Sequence, residues 1–268
     1  MIKLVAIDMD GTLLDDKKGL SANNAQAIAQ VAKEGVKVVI CTGRQLSGVK
    51  PYYQQLGLTG AKEYAVLNNG CGIYQTNDWQ LLEAQTLPHA ELEGLLALSE
   101  PFPGVYLTLV GEHYDVVAKE VPAIVQADAD LVFDQARAVS LSDIAGEQIF
   151  KAMYMAEPTV MDAFQTQVEE KLASDYSVVR SQPYLFEVLP KGVSKASGLK
   201  SLCQNLGIDL ADVMAIGDAA NDLEMLAEVG YPVAMGNASP EVKAIARYET
   251  KSNQADGVAY ALQHWLGE

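Results

Sequence analysis

The chain has 268 residues, of which 49% are hydrophobic and 20% are charged, a composition that predicts one large globular domain or two modest ones. Its formal net charge is −16 at pH 7 and its Lys and Arg residues form no cluster, which argues against binding to nucleic acid or to an anionic membrane surface. The three cysteines lie far apart in the sequence, so we expect free thiols in a cytoplasmic protein.

The first part of the chain alternates between strand and helix patterns. The apolar run Leu4–Ile7 stops at an aspartate and predicts a strand that is buried on both faces of a parallel sheet. Ser21 predicts the N-terminal cap of a helix that ends at Gly35. Residues 36–40 and Tyr64–Leu67 predict the next two strands. This alternation is typical of a doubly wound α/β sheet.

The pattern changes between residues 85 and 187. Gly111 and Glu112 separate two strand patterns, which predicts a β-hairpin. Four strands and two helices are predicted in this stretch: strands at 105–110, 114–117, 149–154 and 184–189, and helices after Pro88 and after Pro158. We therefore expect an inserted α+β domain at 85–187, and the two parts of the α/β domain at 1–84 and 188–268.

The alternation of strand and helix resumes after the insertion. Ser194 predicts the start of a helix that ends at Gly207. Residues 213–216 predict another short buried strand. A helix closed by Gly230 follows, and residues 233–235 predict the final strand of the sheet.

Polar residues follow three of the predicted strands, and ligands of open α/β sheets bind beyond the carboxyl ends of the strands. These residues are Asp8 and Asp10 after the first strand, Thr42, Gly43 and Arg44 after the second, and Asp218, Asn221 and Asp222 after the strand at 213–216. Asp8, Asp10 and Asp218 supply the hard oxygen ligands that Mg²⁺ prefers. A bound cation would relieve the repulsion between these carboxylates and attract an anionic substrate to an acidic chain.

The same strand ends offer donors for phosphate oxygens. Thr42, the Gly43 backbone and Asn221 are of this kind, and Lys195 lies at the start of a predicted helix, where backbone N–H groups favour an anion. Phosphoryl transfer needs in-line positioning and charge neutralisation, and this set of residues offers both. Arg44 either contacts phosphate or forms a structural ion pair.

Four motifs resemble those of the haloacid dehalogenase-like hydrolases, and they occur in the family's order along the chain. They are Asp8-Met9-Asp10-Gly11-Thr12, which matches DxDGT, then Thr42-Gly43-Arg44, Lys195, and Gly217-Asp218-Ala219-Ala220-Asn221-Asp222, which matches GDxxND. The insertion resembles the α/β cap of the Cof-type, or IIB, subfamily, and the closest resemblance is to bacterial sugar-phosphate phosphatases. This resemblance implies an α/β fold with a Rossmann-like doubly wound core and an inserted cap domain.

The resemblance also implies a Mg²⁺-dependent phosphatase that hydrolyses small phosphorylated metabolites, with sugar phosphates as the expected class. Asp8 would be the nucleophile that forms an aspartyl-phosphate, and Asp10 would be the general acid and base. Mg²⁺ would bind Asp8, the Asp10 backbone carbonyl and Asp218, with Asp222 as a further ligand or as a support for the others. The implied phosphate-binding residues are Met9, Thr42, Gly43, Lys195 and Asn221.

Three other functions use similar residues. A phosphotransferase or phosphomutase of the same superfamily would share the nucleophile and the cap. A phospho-acceptor signalling module also has an acidic Mg²⁺ pocket, but such modules are about half this length. A non-catalytic sugar-phosphate binder is the least favoured, because every expected catalytic position is filled. The sequence carries no prediction of the oligomeric state.

Overall fold

A computed structural model describes residues 1–58 and 63–266, and the chain divides into two compact units. The first contains Met1–Glu83 together with the residues from Ser194 onward, and the second is Ala84–Val193. The second boundary therefore differs from the predicted one after residue 187. The reason is that the last strand of the inserted unit continues to Pro190 and pairs within that unit.

The secondary structure follows the chain in three stretches. The first stretch contains β1 (Leu4–Ile7), α1 (Ala22–Lys33), β2 (Lys37–Cys41), α2 (Lys50–Tyr53), β3 (Tyr64–Leu67), β4 (Gly72–Gln75) and β5 (Gln80–Ala84). The inserted stretch contains α3 (His89–Ser99), β6 (Tyr106–Val110), β7 (Tyr114–Val117), α4 (Ala123–Leu131), β8 (Ala136–Val139), β9 (Lys151–Met155), α5 (Pro158–Asp175), β10 (Tyr176–Gln182) and β11 (Leu185–Pro190). The last stretch contains α6 (Lys195–Leu206), β12 (Val213–Gly217), α7 (Leu223–Glu228), β13 (Tyr231–Ala234), α8 (Pro240–Ile245), β14 (Tyr248–Glu249) and α9 (Gly257–Trp265).

An eight-stranded sheet forms the centre of the first unit, in the order β14-β13-β12-β1-β2-β3-β4-β5. Pairing is parallel from β14 through to β3, and β4 is antiparallel to β3. All four residues of β1 are buried, as expected for a central parallel strand. The prediction that the strand at 233–235 is the last one of the sheet was wrong. The two-residue strand β14 pairs in parallel with β13 and forms the edge of the sheet.

The strand order of this sheet creates a crevice beside β1. The chain runs from β1 outward through β2 and β3, and it returns to β12 on the other side of β1. Where the strand order reverses in this way, the loops after the two neighbouring strands lead away from each other. A crevice opens between these loops at the carboxyl ends of the strands, and ligands bind in it. The residues that follow β1 and β12 are therefore the ones that the fold brings to a binding position.

The inserted unit contains a six-stranded sheet in the order β10-β11-β9-β6-β7-β8. Its pairs are antiparallel except for β7 and β8, and the predicted hairpin of β6 and β7 is confirmed. Helices α3 and α5 bury Leu92 and Phe164 in one cluster with Tyr154 of β9. Helix α4 buries Val125 in a second cluster with Tyr114 of β7. Among the described residues of the chain, no helix combines the length and apolar character needed to cross a membrane.

Candidate active site

Asp8 is the first residue after β1, and its side chain is buried. Its backbone N–H donates to the carbonyl of Ile216 at 3.1 Å, so the ladder between β1 and β12 fixes the position of its Cα. Lys195 Nζ donates to Asp8 Oδ1 at 2.5 Å. Burial raises the pKa of Asp8 well above its usual range, although the charge of Lys195 opposes this shift. The site therefore holds a desolvated carboxylate with one cationic partner.

Lys195 is the first residue of α6 and is only 1% exposed. The α6 N-terminus is fixed by a capping box, in which the Ser194 and Ser197 side chains bond to each other's backbone N–H groups. The ammonium group bridges two carboxylates, because it also donates to Asp222 Oδ1 at 2.8 Å. Burial alone would lower the pKa of Lys195, but the charges of Asp222 and Asp8 outweigh it and raise the pKa. Lys195 is therefore a fixed cation.

Asp222 is fully buried and orients the loop after β12. Its Oδ2 accepts the backbone N–H groups of Asp218 at 3.0 Å and Ala219 at 3.1 Å, while Oδ1 accepts Lys195. A Cβ at Gly217 would lie 2.6 Å from the Asp222 carboxyl carbon, so only glycine leaves room for this side chain. Asp222 thus holds both the lysine and the segment that carries Asp218.

Asp218 meets the loop that follows β1. The Thr12 hydroxyl donates to Asp218 Oδ1 at 2.8 Å. Gly11 has a φ of +83°, and a Cβ there would lie 2.4 Å from Asp218 Oδ2, so two separate constraints require glycine. Burial raises the pKa of Asp218 to about 6, and the charge of Asp222 adds to this shift.

Three carboxylates converge where these loops meet. One oxygen from each of Asp8, Asp218 and Asp222 lies within 4.8 Å of the others. Hard carboxylate oxygens in such a group match the ligand preference of Mg²⁺, and the close approach at Gly11 leaves the backbone near Asp218. The donor set therefore fits a divalent cation.

Asp10 lies outside this group of three and faces a second set of cations. Its Oδ2 accepts Arg44 Nε at 2.7 Å, and its Oδ1 accepts both Arg44 Nη2 at 2.7 Å and Lys18 Nζ at 2.6 Å. Burial acts to raise the pKa of Asp10, but the hydrogen bonds and charges of Arg44 and Lys18 outweigh it and lower the pKa to about 2. Arg44 therefore forms an ion pair, one of its two predicted roles.

The predicted phosphate donors lie on neighbouring loops. The Thr42 hydroxyl oxygen accepts the Arg44 N–H at 3.1 Å, and Asn221 Nδ2 donates to Asn69 Oδ1 at 3.3 Å. A Cβ at Gly43 would lie 3.0 Å from the same Asn69 oxygen, which makes this position tight. The Met9 side chain is buried in the core, so any contact of Met9 with phosphate comes from its backbone.

Several residues that surround these groups received no site role from the sequence, although the runs that contain Asn69 and Asn237 also resemble the Cof-type subfamily. Asn237 Nδ2 donates to the Gly11 carbonyl at 2.8 Å, and Asn237 Oδ1 accepts the Asn253 N–H at 2.9 Å. Asn69 has a φ of +54°, in a turn that the Asn-Asn-Gly run at 68–70 could have indicated. Lys18 had no comparable signal, because nothing in the sequence relates it to Asp10.

Comparisons with known proteins identify the family of the chain. A family model described as haloacid dehalogenase-like hydrolase matches residues 5–262. The 5-amino-6-(5-phospho-D-ribitylamino)uracil phosphatase YcsE of Bacillus subtilis is 32% identical over 267 residues, which cover 99% of this chain and 96% of that protein. Phosphatase YwpJ of the same organism is 31% identical over 289 residues, which cover 99% and 100% of the two chains.

A solved structure extends the match to the fold. The crystal structure of a haloacid dehalogenase-like hydrolase from Bacteroides thetaiotaomicron superposes with a TM-score of 0.88 at 28% identity, and the match covers 98% of this chain and 99% of that one. The α/β fold with an inserted domain, predicted from the sequence, is thereby confirmed. The chain belongs to the haloacid dehalogenase-like hydrolases of the Cof type, and it is a phosphatase.

Proposed function

We propose that the chain hydrolyses phosphate monoesters of small metabolites through an aspartyl-phosphate intermediate on Asp8. The observation that carries this proposal is the buried Asp8 carboxylate, with Lys195 Nζ 2.5 Å from one of its oxygens, at the crevice beside β1. A desolvated carboxylate of fixed orientation is a competent nucleophile, because it need not shed a hydration shell before attack.

The reaction then proceeds in two displacements at phosphorus. In the first, the Asp8 oxygen that Lys195 leaves open bonds to phosphorus and the ester P–O bond breaks. The leaving alkoxide takes a proton from Asp10, which would acquire it when the negative charge of the bound phosphate ester raises its pKa from the low value of the ligand-free chain. In the second, water attacks phosphorus and gives a proton to Asp10, and the P–O bond to Asp8 breaks. Inorganic phosphate leaves, and both aspartates return to their starting states.

Lys195 has a charge-balancing role in this scheme. It stays cationic between Asp8 and Asp222, so it keeps one Asp8 oxygen in place while the other reacts. Thr42, the Gly43 and Met9 backbones and Asn221 would donate to the phosphate oxygens, whose charge spreads in the transition state. Asn69 supports this set through its bond to Asn221.

The set of three converging carboxylates would hold Mg²⁺ through Asp8 and Asp218, with the Asp10 backbone carbonyl as a further ligand. Asp222 would support the site from behind, since its oxygens already accept Lys195 and two backbone N–H groups. When bound, the ion neutralises the negative charge of the phosphoryl group. Asp218 is held toward this position by Thr12, and Asp222 fixes the loop that carries it.

Small phosphorylated metabolites are the proposed substrate class, with sugar phosphates first among them. The name of YcsE states a phosphorylated ribityl compound as the substrate of that relative, which supports a polyol-type phosphate ester for this chain. The predicted assignment of the first unit as the catalytic core and of the inserted unit as a cap is part of the same proposal.

A panel of sugar and polyol phosphates tests this function. We expect phosphate release with Mg²⁺ present, loss of release with a chelator, and recovery when Mg²⁺ is added back. Asp8→Asn, checked for retained fold by circular dichroism, should be inactive on every ester. Absence of turnover of the whole panel by the unmodified protein would contradict the proposal. Transfer of phosphate to an added sugar in place of water would assign a phosphotransferase.

A further inference from the structure

We propose that Asn237 and Asn253 give the carboxylate site its preference for Mg²⁺ over Ca²⁺, because they fix the loop that follows β1 against the loop that follows β12. This inference rests on the metal site of the proposed function. Neither asparagine belongs to the four sequence motifs, and neither is a proposed metal ligand. Both are therefore positioning residues.

Asn237 holds the loop after β1 at Gly11. It lies between β13 and α8, and its Nδ2 donates to the Gly11 carbonyl at 2.8 Å. Gly11 in turn lies directly against Asp218, since a Cβ on Gly11 would overlap the Asp218 carboxylate. A shift of the Gly11 backbone would therefore change the space beside that carboxylate. Asn237 limits this shift through the Gly11 carbonyl.

The loop that carries Asn237 also contacts the segment that carries Asp218. The Ser239 N–H donates to the Asp218 carbonyl at 3.0 Å. Asn237 and Ser239 are two residues apart, so one short loop bonds to the backbone on both sides of the metal site. This loop therefore sets the separation between Gly11 and Asp218.

Asn253 ties the same loop to a second part of the chain after β1. Its N–H donates to Asn237 Oδ1 at 2.9 Å, and its Nδ2 donates to the Leu14 carbonyl at 3.1 Å and to Asp16 Oδ1 at 3.0 Å. Asn253 is only 6% exposed, so water competes little for its amide. We call Asn237 and Asn253, with their contacts to residues 11–16, the asparagine bracket.

The asparagine bracket is anchored to neighbouring segments at Gly236. The Gly236 N–H donates to the Lys251 carbonyl at 3.0 Å, and the Gly236 carbonyl accepts Lys243 Nζ at 2.7 Å. A Cβ on Gly236 would lie 2.8 Å from the Ser252 nitrogen, so the two segments are in close contact. The bracket is thus held in place from the side opposite the loop after β1.

A fixed separation of ligands favours Mg²⁺ in particular. Mg²⁺ requires nearly octahedral ligands at about 2.0–2.1 Å, whereas Ca²⁺ accepts more oxygens at about 2.3–2.6 Å in a flexible arrangement. The asparagine bracket fixes Asp218 relative to the backbone beside Asp10, whose carbonyl is another proposed ligand. Loosening of the bracket should therefore weaken binding of the smaller ion more than binding of the larger one.

Asn237→Ala tests this inference because it removes both side-chain contacts of the central residue of the bracket. The matched control is Asn77→Ala, since Asn77 is also an exposed asparagine with a side-chain hydrogen bond, which it accepts from Gln75 Nε2 at 2.7 Å. Calorimetric titration of the metal-free full chain with Mg²⁺ and with Ca²⁺ gives the two dissociation constants. Thermal denaturation without metal reports on the fold.

We expect Asn237→Ala to raise the Mg²⁺ dissociation constant by about tenfold, as for other groups that orient metal ligands. The Ca²⁺ dissociation constant should rise by less than about threefold, because Ca²⁺ tolerates a looser set of ligands. Asn253→Ala keeps its N–H bond to Asn237, so it should change the preference in the same direction by a smaller factor. Asn77→Ala should change neither constant.

The ratio of the two dissociation constants separates positioning from a general loss of structure. The thermal midpoint of metal-free Asn237→Ala should fall by about 2–4 °C at most, because the side chain is exposed and its hydrogen bonds contribute little. Equal changes of the two constants, or a lower midpoint with unchanged Mg²⁺ affinity, would overturn the inference. Tighter binding of Ca²⁺ than of Mg²⁺ by the unmodified protein would also overturn it.

The variant Asp218→Asn distinguishes failure of this inference from failure of the proposed function. If Asp218→Asn loses Mg²⁺ binding and Asn237→Ala keeps the preference of the unmodified protein, only the role of the asparagine bracket is refuted. If the unmodified protein binds no Mg²⁺, the proposed metal site itself is refuted, and the role of the bracket fails with it.

Discussion

Asp8 and Asp10 lie two residues apart, yet their surroundings differ in kind. Asp8 is buried with two further carboxylates and shares one cation, Lys195, with Asp222. Asp10 accepts hydrogen bonds from two cations of its own. Burial dominates the pKa of Asp8 and raises it, whereas Arg44 and Lys18 outweigh burial and lower the pKa of Asp10 to about 2.

This difference separates the two proposed roles by physical environment. A carboxylate with little positive charge around it is stabilised most by a divalent cation, and it is the better placed of the two to attack an electrophilic phosphorus atom. A carboxylate that is paired with two cations keeps its orientation, and it can act as an acid once the negative charge of a bound phosphate ester raises its pKa. Residues i and i+2 of a regular strand share one face, so the turn that follows β1 is what directs the two aspartates into different electrostatic settings.

The largest expected effect on activity within the Asp10 region follows from Asp10→Asn. The amide keeps the shape of the side chain but cannot transfer the proton, so we expect kcat for a sugar phosphate to fall by about 100- to 10,000-fold. Steady-state assays of phosphate release measure this. Asp78→Asn, at an exposed aspartate in the turn between β4 and β5, serves as the control and should leave kcat unchanged. A loss of less than threefold in Asp10→Asn would remove Asp10 from the mechanism.

In the Asp8 region, Lys195→Met should produce the largest loss of stability. The substitution leaves Asp8 and Asp222 buried without their shared cation, and breaking a buried ion pair in this way costs about 3–5 kcal/mol. Urea denaturation measures the free energy of unfolding. Lys200→Met on the same helix removes an exposed lysine 3.6 Å from Glu228, so the free energy of unfolding should change by less than about 1 kcal/mol. Equal effects of the two substitutions would contradict the account of the buried pair.

The two regions should also respond to pH with opposite signs. Asp218, with a pKa raised from 3.8 to about 6, binds its proton more tightly in the folded chain, so its contribution to stability falls as the pH rises through this interval. Asp10, with a pKa lowered from 3.8 to about 2, contributes stability above 3.8 that is lost as the pH falls toward 2.

The prediction for Asp218 is tested by the free energy of unfolding of the metal-free protein, measured from about pH 4 to about pH 7. We expect Asp218→Asn to lose less stability than the unmodified protein over this range, by on the order of 2 kcal/mol after allowance for solvent screening. Mg²⁺ should stabilise the unmodified protein at the higher pH and so reduce the difference in stability loss between the two proteins. Identical pH dependence of the two metal-free proteins would show that folding does not raise the pKa of Asp218.

The smallest expected effect is a difference between two glycine substitutions. Gly11→Ala places a methyl group 2.4 Å from Asp218 Oδ2 at a φ of +83°, whereas Gly35→Ala meets nothing within 4 Å at a φ of +90°. Both lose the left-handed preference of glycine, at about 1 kcal/mol each, and Gly11→Ala should cost about 1–2 kcal/mol more. Thermal denaturation compares them, and Mg²⁺ affinity should fall only for Gly11→Ala. Equal changes in both would contradict the close approach at Gly11.

Much of this arrangement could be predicted because parallel strands carry local signals. Continuous apolar runs identified β1, β3 and β12, and the polar residues after them identified the two loops that meet beside β1. Helix α6 was predicted from its cap at Ser194. Each of these features depends on residues close together in sequence.

The remaining features depend on contacts that no local pattern contains. Strand β5 alternates between exposed and half-buried residues at the sheet edge, and β14 has two residues, too few for a periodic signal. The partners of Asp10 lie 8 and 34 residues away, on a turn and on the loop after β2. Only the folded chain shows that Lys18 and Arg44 converge on one carboxylate.

The central claim is that Asp8 carries the phosphoryl group, and trapping that intermediate tests it most directly. The Asp10→Asn variant, which lacks the base for the second displacement, is mixed with p-nitrophenyl phosphate and Mg²⁺ and then quenched in acid, and the peptides are analysed by mass spectrometry. We predict that the mass of one phosphoryl group is found on the peptide that contains Asp8, and that it is absent when Asp8→Asn is combined with Asp10→Asn. Release of p-nitrophenol in a burst without phosphate on that peptide, or with phosphate on another residue, would contradict the account.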